Sequence, residues 1–462
     1  MTIWPPNKDS LRRPAYRSLA QSLIDAIEAG EIRPGVRLPT HRALAYDLGV
    51  SVQTVSRAYD ELSRLGVISG QVGRGSFVRS GRPDSRMPWH RLGGSDDVID
   101  CSMLVPVTGD LHSERMSATL AALADDLPGN AMLSFRPRAT LEAHCEAALG
   151  WLARCGVTTR RDQVLPTNGN TVAMTTALMT AALPGDLVVS EEIGHHTLKS
   201  LTNALGLRLA GLPLDNEGIV PDAFDRACRT GAVKVLFVLP SGLGPTAAMM
   251  GPKRRHAIVE IARQHDVWIV ENDALGPIQP VRPEPLFMLA PERTFYFTGL
   301  AKCLLPGLRI AWLVVPDTMV AAARTRHLVT NWMATPLMAE IATRWLDDGT
   351  AETLLQWQQA QLSRRNDIAA RLLRGLPYTG SPNGMHVWMR LPAPWREDMF
   401  VAHARNNGVA VAAGSNFAIS DDQHHPAVRI CLGAGSEEEL ERGLSVIARL
   451  VRSPPEPALL AI

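Results

Sequence analysis

An α/β protein with a small helical head is the fold class that this 462-residue sequence predicts, and three observations carry it. Beyond about residue 97, apolar strands alternate with helical stretches, the rhythm of a mostly parallel sheet covered by helices on both faces. Residues 11 to 79 instead show three short amphipathic helices followed by a glycine-rich hairpin. The two regions also differ in charge: residues 1 to 91 hold 14 Lys and Arg against 8 Asp and Glu, net +6, leaving 33 against 38, net −5, for the remainder. A basic head on a mildly acidic body fits nucleic-acid contact at one end only.

A chain this long exceeds one ordinary core, so two or three domains are expected. Hydrophobic content of 46% with 20% charge marks a soluble globular protein. No apolar run reaches the roughly 18 residues of a membrane helix, and the start, with Pro5, Pro6, Lys8 and Asp9, lacks a signal peptide's apolar core. A cytoplasmic location with no membrane partner is expected. The six cysteines are scattered without metal-ligand or redox spacing, so reduced core thiols and no metal site are expected.

In the head, Leu19, Leu23, Ile24 and Ile27 fall on one face of a helix over residues 14 to 29, which Gly30 stops. Pro34-Gly-Val-Arg-Leu-Pro-Thr40 reads as a turn ending in a capping threonine, and a short helix runs from Ala43 to Leu48. After the tight turn at Gly49-Val50, Ser51 caps a third helix with Val52, Val55, Tyr59 and Leu62 inward. Helix, glycine turn, capped helix is the outline of a helix-turn-helix unit, whose third helix would present Gln53, Thr54 and Arg57 to the major groove. Residues 67 to 78 read as a hairpin with Arg74 at its tip, a wing suited to phosphate or minor-groove contact. Any three-helix module could show these periods.

The residues themselves go further. Gly35-Val-Arg37-Leu-Pro-Thr40-His-Arg42, Val50-Ser-Val-Gln-Thr-Val-Ser-Arg57 and Gly73-Arg-Gly-Ser-Phe-Val78 together resemble the winged-helix domain of the GntR regulators. That resemblance implies binding to a double-stranded DNA operator, with Arg37, Arg42, Thr54, Arg57 and Arg74 carrying most of the contact. Thr40, Ser51 and Gln53 complete the candidate DNA-contact set. Residues 1–79 form this domain, and 80–97, rich in Gly, Pro, Asp, Ser and Arg, form a linker.

In the body, strands are expected at 187–190, 233–239, 267–270, 294–297 and 310–315. Near Thr167-Asn-Gly-Asn-Thr171 a helix starts, over 172–183, so free N–H groups and the helix dipole point at a loop that can seat a phosphate. Such a loop is otherwise an ordinary turn. Segments 387–391, 409–411 and 428–431, with a last helix over 436–451, would make a smaller lobe. Residues 453–462 read as a tail.

The strand at Phe295 delivers a single lysine, Lys302, into a turn of small residues, and Arg309 follows seven residues later. Flanked by Ala301 and Cys303, this amine has little local carboxylate to pair with, and desolvation lowers its proton affinity, which suits a Schiff-base nucleophile. The alternative is a loop lysine whose stem lies along apolar surface. Thr298-Gly-Leu-Ala-Lys302 followed by Pro306-Gly-Leu-Arg309 resembles the cofactor-lysine segment of fold-type I aminotransferases. In that family the lysine forms an internal aldimine with pyridoxal 5′-phosphate (PLP), and a hydroxyl residue and an arginine hold its phosphate.

Residues 98–452 resemble the aminotransferase-like domain of the MocR subfamily, which joins a GntR head to a PLP-dependent transferase-like body of the aspartate aminotransferase fold, with large and small lobes. The resemblance implies that Lys302 is the aldimine lysine, that Arg309, Thr298, Gly169, Asn170 and Thr171 bind the phosphate, and that Arg429 binds a substrate or effector carboxylate. It also implies a homodimer.

Other positions depart from the pattern. In Val270-Glu-Asn-Asp-Ala-Leu-Gly276, Asn272 occupies the favoured register of the carboxylate against the pyridine nitrogen, with Asp273 one residue on. The strand period of two prevents both from facing the ring. Ala274 and Leu275 fill the two slots for a tyrosine, His195 stands where a tyrosine stacks on the cofactor, and Gly244 replaces an asparagine. His195 could stack on a pyridine ring or be a plain loop histidine. Binding kept and catalysis weakened is the expectation: a DNA-binding regulator sensing PLP or an amine or amino-acid effector. The alternatives are an active aminotransferase with a DNA-binding head, and a regulator whose pocket no longer takes PLP.

Overall fold

The computed structural model describes residues 5, 11, 15–28, 31–32, 35–64, 67–71, 75–78, 98–126, 128–129, 137–420 and 425–453. The linker at 80–97, the wing tip with Arg74, and all of the tail after residue 453 lie outside these. The chain divides into two compact units, residues 1–93 and 94–462.

The first unit is built on helices α1 (Ala15–Glu28), α2 (His41–Leu48) and α3 (Val52–Arg64) and the antiparallel strands Ile68–Gln71 and Gly75–Val78. Leu19, Leu23, Leu44, Leu48, Val55, Tyr59 and Leu62 form its core, joined by Ile68 and Val78 from the hairpin. Both expected caps form: Thr40 Oγ1 accepts from Ala43 N at 3.2 Å, and Ser51 Oγ accepts from Thr54 N at 3.1 Å. Gly49, at φ 59°, ends α2 in the left-handed conformation that glycine adopts without a Cβ penalty. Two readings change. Val52 is 48% exposed rather than inward, because it is the first residue of α3 and projects past the packed turn that begins at Val55. The segment at 35–38 is more than a turn: Gly35 N and Leu38 N donate to Val78 O and Ser76 O, and Arg37 forms a single antiparallel bridge to Phe77 of the hairpin.

The second unit has two lobes. A seven-stranded sheet runs, in spatial order, Val164–Thr167, Ala311–Val314, Thr294–Gly299, Trp268–Asn272, Val233–Val238, Leu187–Glu191 and Arg208–Leu212. Neighbours pair in parallel except where Ala311–Val314 lies antiparallel to both of its partners. Buried on both faces, its strands carry near-continuous apolar runs, and the helix Asn170–Ala181 packs against it. The first and last strands in space were not anticipated. Pro166 interrupts one, and Arg208-Leu-Ala-Gly-Leu212 is a partly exposed edge with weak apolar pattern.

In the smaller lobe the order is Tyr378–Thr379, His386–Arg390, Ala427–Cys431 and Ala412–Ala413. Val387, Met389, Val428 and Ile430 turn into a core completed by the helix Glu437–Arg452, which Ser436 and Glu439 cap reciprocally. Alternation sends His386, Trp388, Arg429 and Cys431 to the opposite face. All six cysteines are buried and free, and no helix among the described residues is long and apolar enough to cross a membrane.

Candidate functional site

In the first unit, α3 leaves Gln53 and Arg57 exposed on one side, with Thr54 half-buried and its hydroxyl 2.9 Å from Ser51 Oγ. Arg37 and Arg42 are also exposed; Arg37 sits in the segment that pairs with Phe77. The N-terminal turn of α3 therefore offers polar and cationic side chains beside free helix-end N–H groups, an arrangement suited to phosphates and base edges.

In the second unit, four loops converge at the carboxyl ends of sheet strands, the edge where α/β sheets bind ligands. Thr167 leads into Gly169, His195 follows Glu191, Asn272 ends its strand, and Lys302 follows Gly299. Gly169, at φ 87°, is the N-cap of the helix Asn170–Ala181. A helix's first turn leaves the N–H groups of Asn170 and Thr171 without intrahelical partners. The guanidinium of Arg309 lies against this loop: a Cβ built on Gly169 would stand 2.8 Å from Nη2. Asn170 Oδ1 is buried without a hydrogen-bond partner, 2.8 Å from where a Cβ on Gly299 would fall. Glycine at 169 keeps open a cradle of one guanidinium and a helix N-terminus, the donor set for a phosphate, while Gly299 is also required by Ala311 Cβ at 2.7 Å and Ile310 O at 2.8 Å from that same Cβ position.

Lys302 is half-buried, and its Nζ donates to Leu104 O. Burial pushes its pKa down to about 8; Cys431 opposes this, and Arg429 and then Arg309 add to it. None of the groups acting on it is a carboxylate. Arg429 is 7% exposed, donates to Ser102 O at 2.9 Å and rests over the Phe417 ring at 4.5 Å, while its Nε is buried without a partner. Thus two backbone carbonyls in one short segment, Ser102 and Leu104, cap the lysine and the arginine.

His195 stacks on His196, with centroids 4.6 Å apart, and meets Phe237 edge-on at 6.1 Å. Its Nδ1 is engaged by the Thr197 hydroxyl at 2.9 Å. Burial, then Lys302 and Arg429, bring its pKa down to about 4, so the ring is neutral.

Asn272 pairs with Phe297 across the ladder, so it shares the face of Phe297 and Phe237 that His195 approaches. Asp273 is held elsewhere, by Arg282 Nη1 at 2.6 Å and by the Tyr296 hydroxyl. The sheet brings Asn272, not Asp273, to the histidine side. Thr298 is also turned away. Its hydroxyl lies by Cys155 Sγ at 3.9 Å and Gly276, on the face opposite Gly299, because successive strand residues alternate. Gly299 takes the position beside Asn170, and no hydroxyl from this strand enters the cradle.

Two features escaped sequence reading. His386, across the ladder from Cys431, sends Nε2 to the carbonyls of Gly244 at 3.0 Å and Pro245 at 3.1 Å. Its only sequence signal is a histidine in register with Trp388 in an otherwise apolar strand. The Asp273–Arg282–Tyr296 cluster joins residues 23 apart in sequence or fewer, and nothing local marked it.

A three-helix head with a hairpin, joined to a two-lobed body that gathers a lysine and two arginines at the carboxyl edge of its sheet, defines a helix-turn-helix protein with an aminotransferase-type body. The chain belongs to the aminotransferase class I and II family, whose pattern matches residues 109–447, and residues 15–78 match the bacterial regulatory proteins of the gntR family. It is 28% identical to the HTH-type transcriptional regulator YdeF of Bacillus subtilis over 97% of this chain and 96% of the relative. TauR of Rhodobacter capsulatus is 25% identical over 94% and 96%, and MocR of Rhizobium meliloti 24% over 86% and 85%. Among solved structures, an archaeal alanine:glyoxylate aminotransferase superposes with a TM-score of 0.73 at 21% identity, covering 80% of this chain and 94% of its own. A Pyrococcus horikoshii kynurenine aminotransferase in complex with PMP gives 0.71 at 21%, over 78% and 91%. At that identity the likeness is one of fold.

Proposed function

We propose that the protein is a cytoplasmic, homodimeric transcriptional regulator that binds operator DNA through its head and, through its body, PLP at Lys302 and a carboxylate-bearing amine at Arg429. The observation that carries this reading is a lowered-pKa lysine and a buried arginine that donate to two carbonyls of one short segment, Leu104 and Ser102, with no carboxylate among the groups acting on the lysine. Two cations held by neutral groups call for an anionic ligand.

The residues present fit PLP in part. Arg309, Gly169, Asn170 and Thr171 supply a phosphate cradle, and Lys302 supplies an amine that is substantially neutral near pH 8 for an aldehyde. When bound, PLP supplies an electron sink for carbanion chemistry, provided its ring nitrogen keeps a proton. Asn272 cannot hold that proton as a carboxylate does, so the site favours capture over turnover.

Ser102 and Leu104 lie just after the two-residue strand Ile99–Asp100, which pairs with Val409 and Ala410. A ligand that engages Lys302 and Arg429 takes them from these carbonyls and so disturbs the stretch of chain leading to the head. Ligand and operator affinities are then coupled through one segment.

Operator affinity of the full-length protein, titrated with and without PLP plus an amino acid, tests the reading. A shift of about fivefold or more, lost in Lys302→Ala, is expected. DNA affinity indifferent to every combination would contradict it, and sustained keto-acid formation would favour the working aminotransferase.

A further inference from the structure

We propose that His386 is a specificity residue: a neutral acceptor that selects, among carboxylate-bearing amines, those whose side chain carries a hydroxyl or amide hydrogen-bond donor. This rests on the reading that Lys302 and Arg429 hold the ligand.

The ring's tautomer follows from its neighbours. Nε2 faces two carbonyl oxygens, of Gly244 at 3.0 Å and Pro245 at 3.1 Å. Carbonyls only accept, so Nε2 carries the hydrogen. A neutral ring then has a bare lone pair on Nδ1. Burial and the nearby charges of Arg429 and Lys302 hold the ring neutral, with its pKa down to about 3.

That Nδ1 is buried without a hydrogen-bond partner in a residue only 1% exposed. An acceptor left so costs free energy unless something satisfies it. The ladder sets the residue on the same face of the small-lobe sheet as Arg429. His386 pairs with Cys431, and Trp388 with Arg429, so all four leave the small lobe on the face away from its apolar core. A ligand whose carboxylate is on Arg429 lies along this face and can present a donor to Nδ1. Lys302 and Arg429 cannot both serve Nδ1 and the ligand's anionic groups. An apolar side chain would leave Nδ1 unpaired, which is the physical basis of strong discrimination.

Isosteric pairs test the proposal: L-threonine against L-valine, and L-asparagine against L-leucine, titrated into the PLP-loaded full-length protein and followed by visible absorbance. In at least one pair the donor-bearing member is expected to bind about tenfold tighter or more. In His386→Phe the ratio falls to about one; His386→Leu serves the same purpose where phenylalanine does not fit. His386→Gln keeps both an acceptor and a donor and retains most of the preference. Equal affinity within both pairs in the wild type, as when a buried water satisfies Nδ1, overturns the proposal. So does a preference that survives His386→Phe. Failure of the underlying reading looks different: no borohydride-fixed pyridoxyl label on Lys302 in the wild type, which removes the ligand site and this proposal together.

Discussion

The guanidinium of Arg309 stands where a side chain on Gly169 would have to go, with a Cβ there 2.8 Å from Nη2 and 3.0 Å from Cζ. Glycine also permits the φ of 87° and ψ of 169° that turn the loop into the helix Asn170–Ala181. Loop conformation and arginine placement are therefore one feature, built from residues 140 positions apart in sequence.

Gly169→Ala should consequently weaken PLP binding about tenfold or more, because the methyl displaces Arg309, and should lower stability by about 1–3 kcal/mol through backbone strain. Isothermal titration with PLP and a denaturation curve read the two effects separately. An unaltered PLP affinity would mean that Arg309 does not hold the phosphate.

Only the neutral amine of Lys302 can attack an aldehyde. With its pKa down to about 8 instead of the ordinary lysine value, the rate of PLP capture should rise with pH to a midpoint near 8 and then level off. Stopped-flow absorbance across pH 6 to 10 checks this, at roughly unit intervals wide enough to bracket the midpoint. A rate still climbing at the top of that range would mean that Lys302 is solvated as an ordinary surface lysine.

Asn272 lies on the face that His195 approaches, and Asp273 is committed to Arg282 and Tyr296. Asn272→Asp should therefore give the ring nitrogen its missing anion and raise the single-turnover rate with an amino acid by about tenfold or more. Asp273→Asn should instead mainly destabilise the fold, since it leaves the Arg282 charge buried and unpaired. The opposite assignment of effects would place Asp273 at the ring.

On the head, Arg57 is exposed near the start of α3. Arg57→Ala should cost about 1–3 kcal/mol with the cognate operator and less with unrelated DNA. Gel-shift titration of both duplexes measures it, and an equal loss on each would make Arg57 a phosphate contact rather than a base reader.

The sequence was most legible where one chain segment carries the whole signal. The capped helices at Thr40 and Ser51, and the strands at 187–191, 233–238 and 294–299, follow from local period and turn chemistry. Lys302 stood out as a lysine in a turn of small residues, but it was the resemblance to the fold-type I aminotransferase segment, not the spacing, that singled out both Lys302 and Arg309. Thr298 was misplaced because proximity in sequence is not orientation: one residue along a strand reverses the face. Val52 showed that a helix period continues past the point where there is a core to bury it. His386 and the carbonyls of Ser102 and Leu104 belong to contacts that close only when the body folds, over separations of 142, 327 and 198 residues.

The most direct test of the account is whether Lys302 captures PLP. Visible absorption of the full-length protein with added PLP, before and after borohydride, followed by peptide mapping, should show a band that reduction bleaches, leaving a pyridoxyl label on Lys302; Lys302→Ala should lack both. No fixed label in the wild type, or a label carried equally by Lys302→Ala, would contradict the claim that this lysine is the cofactor-binding residue.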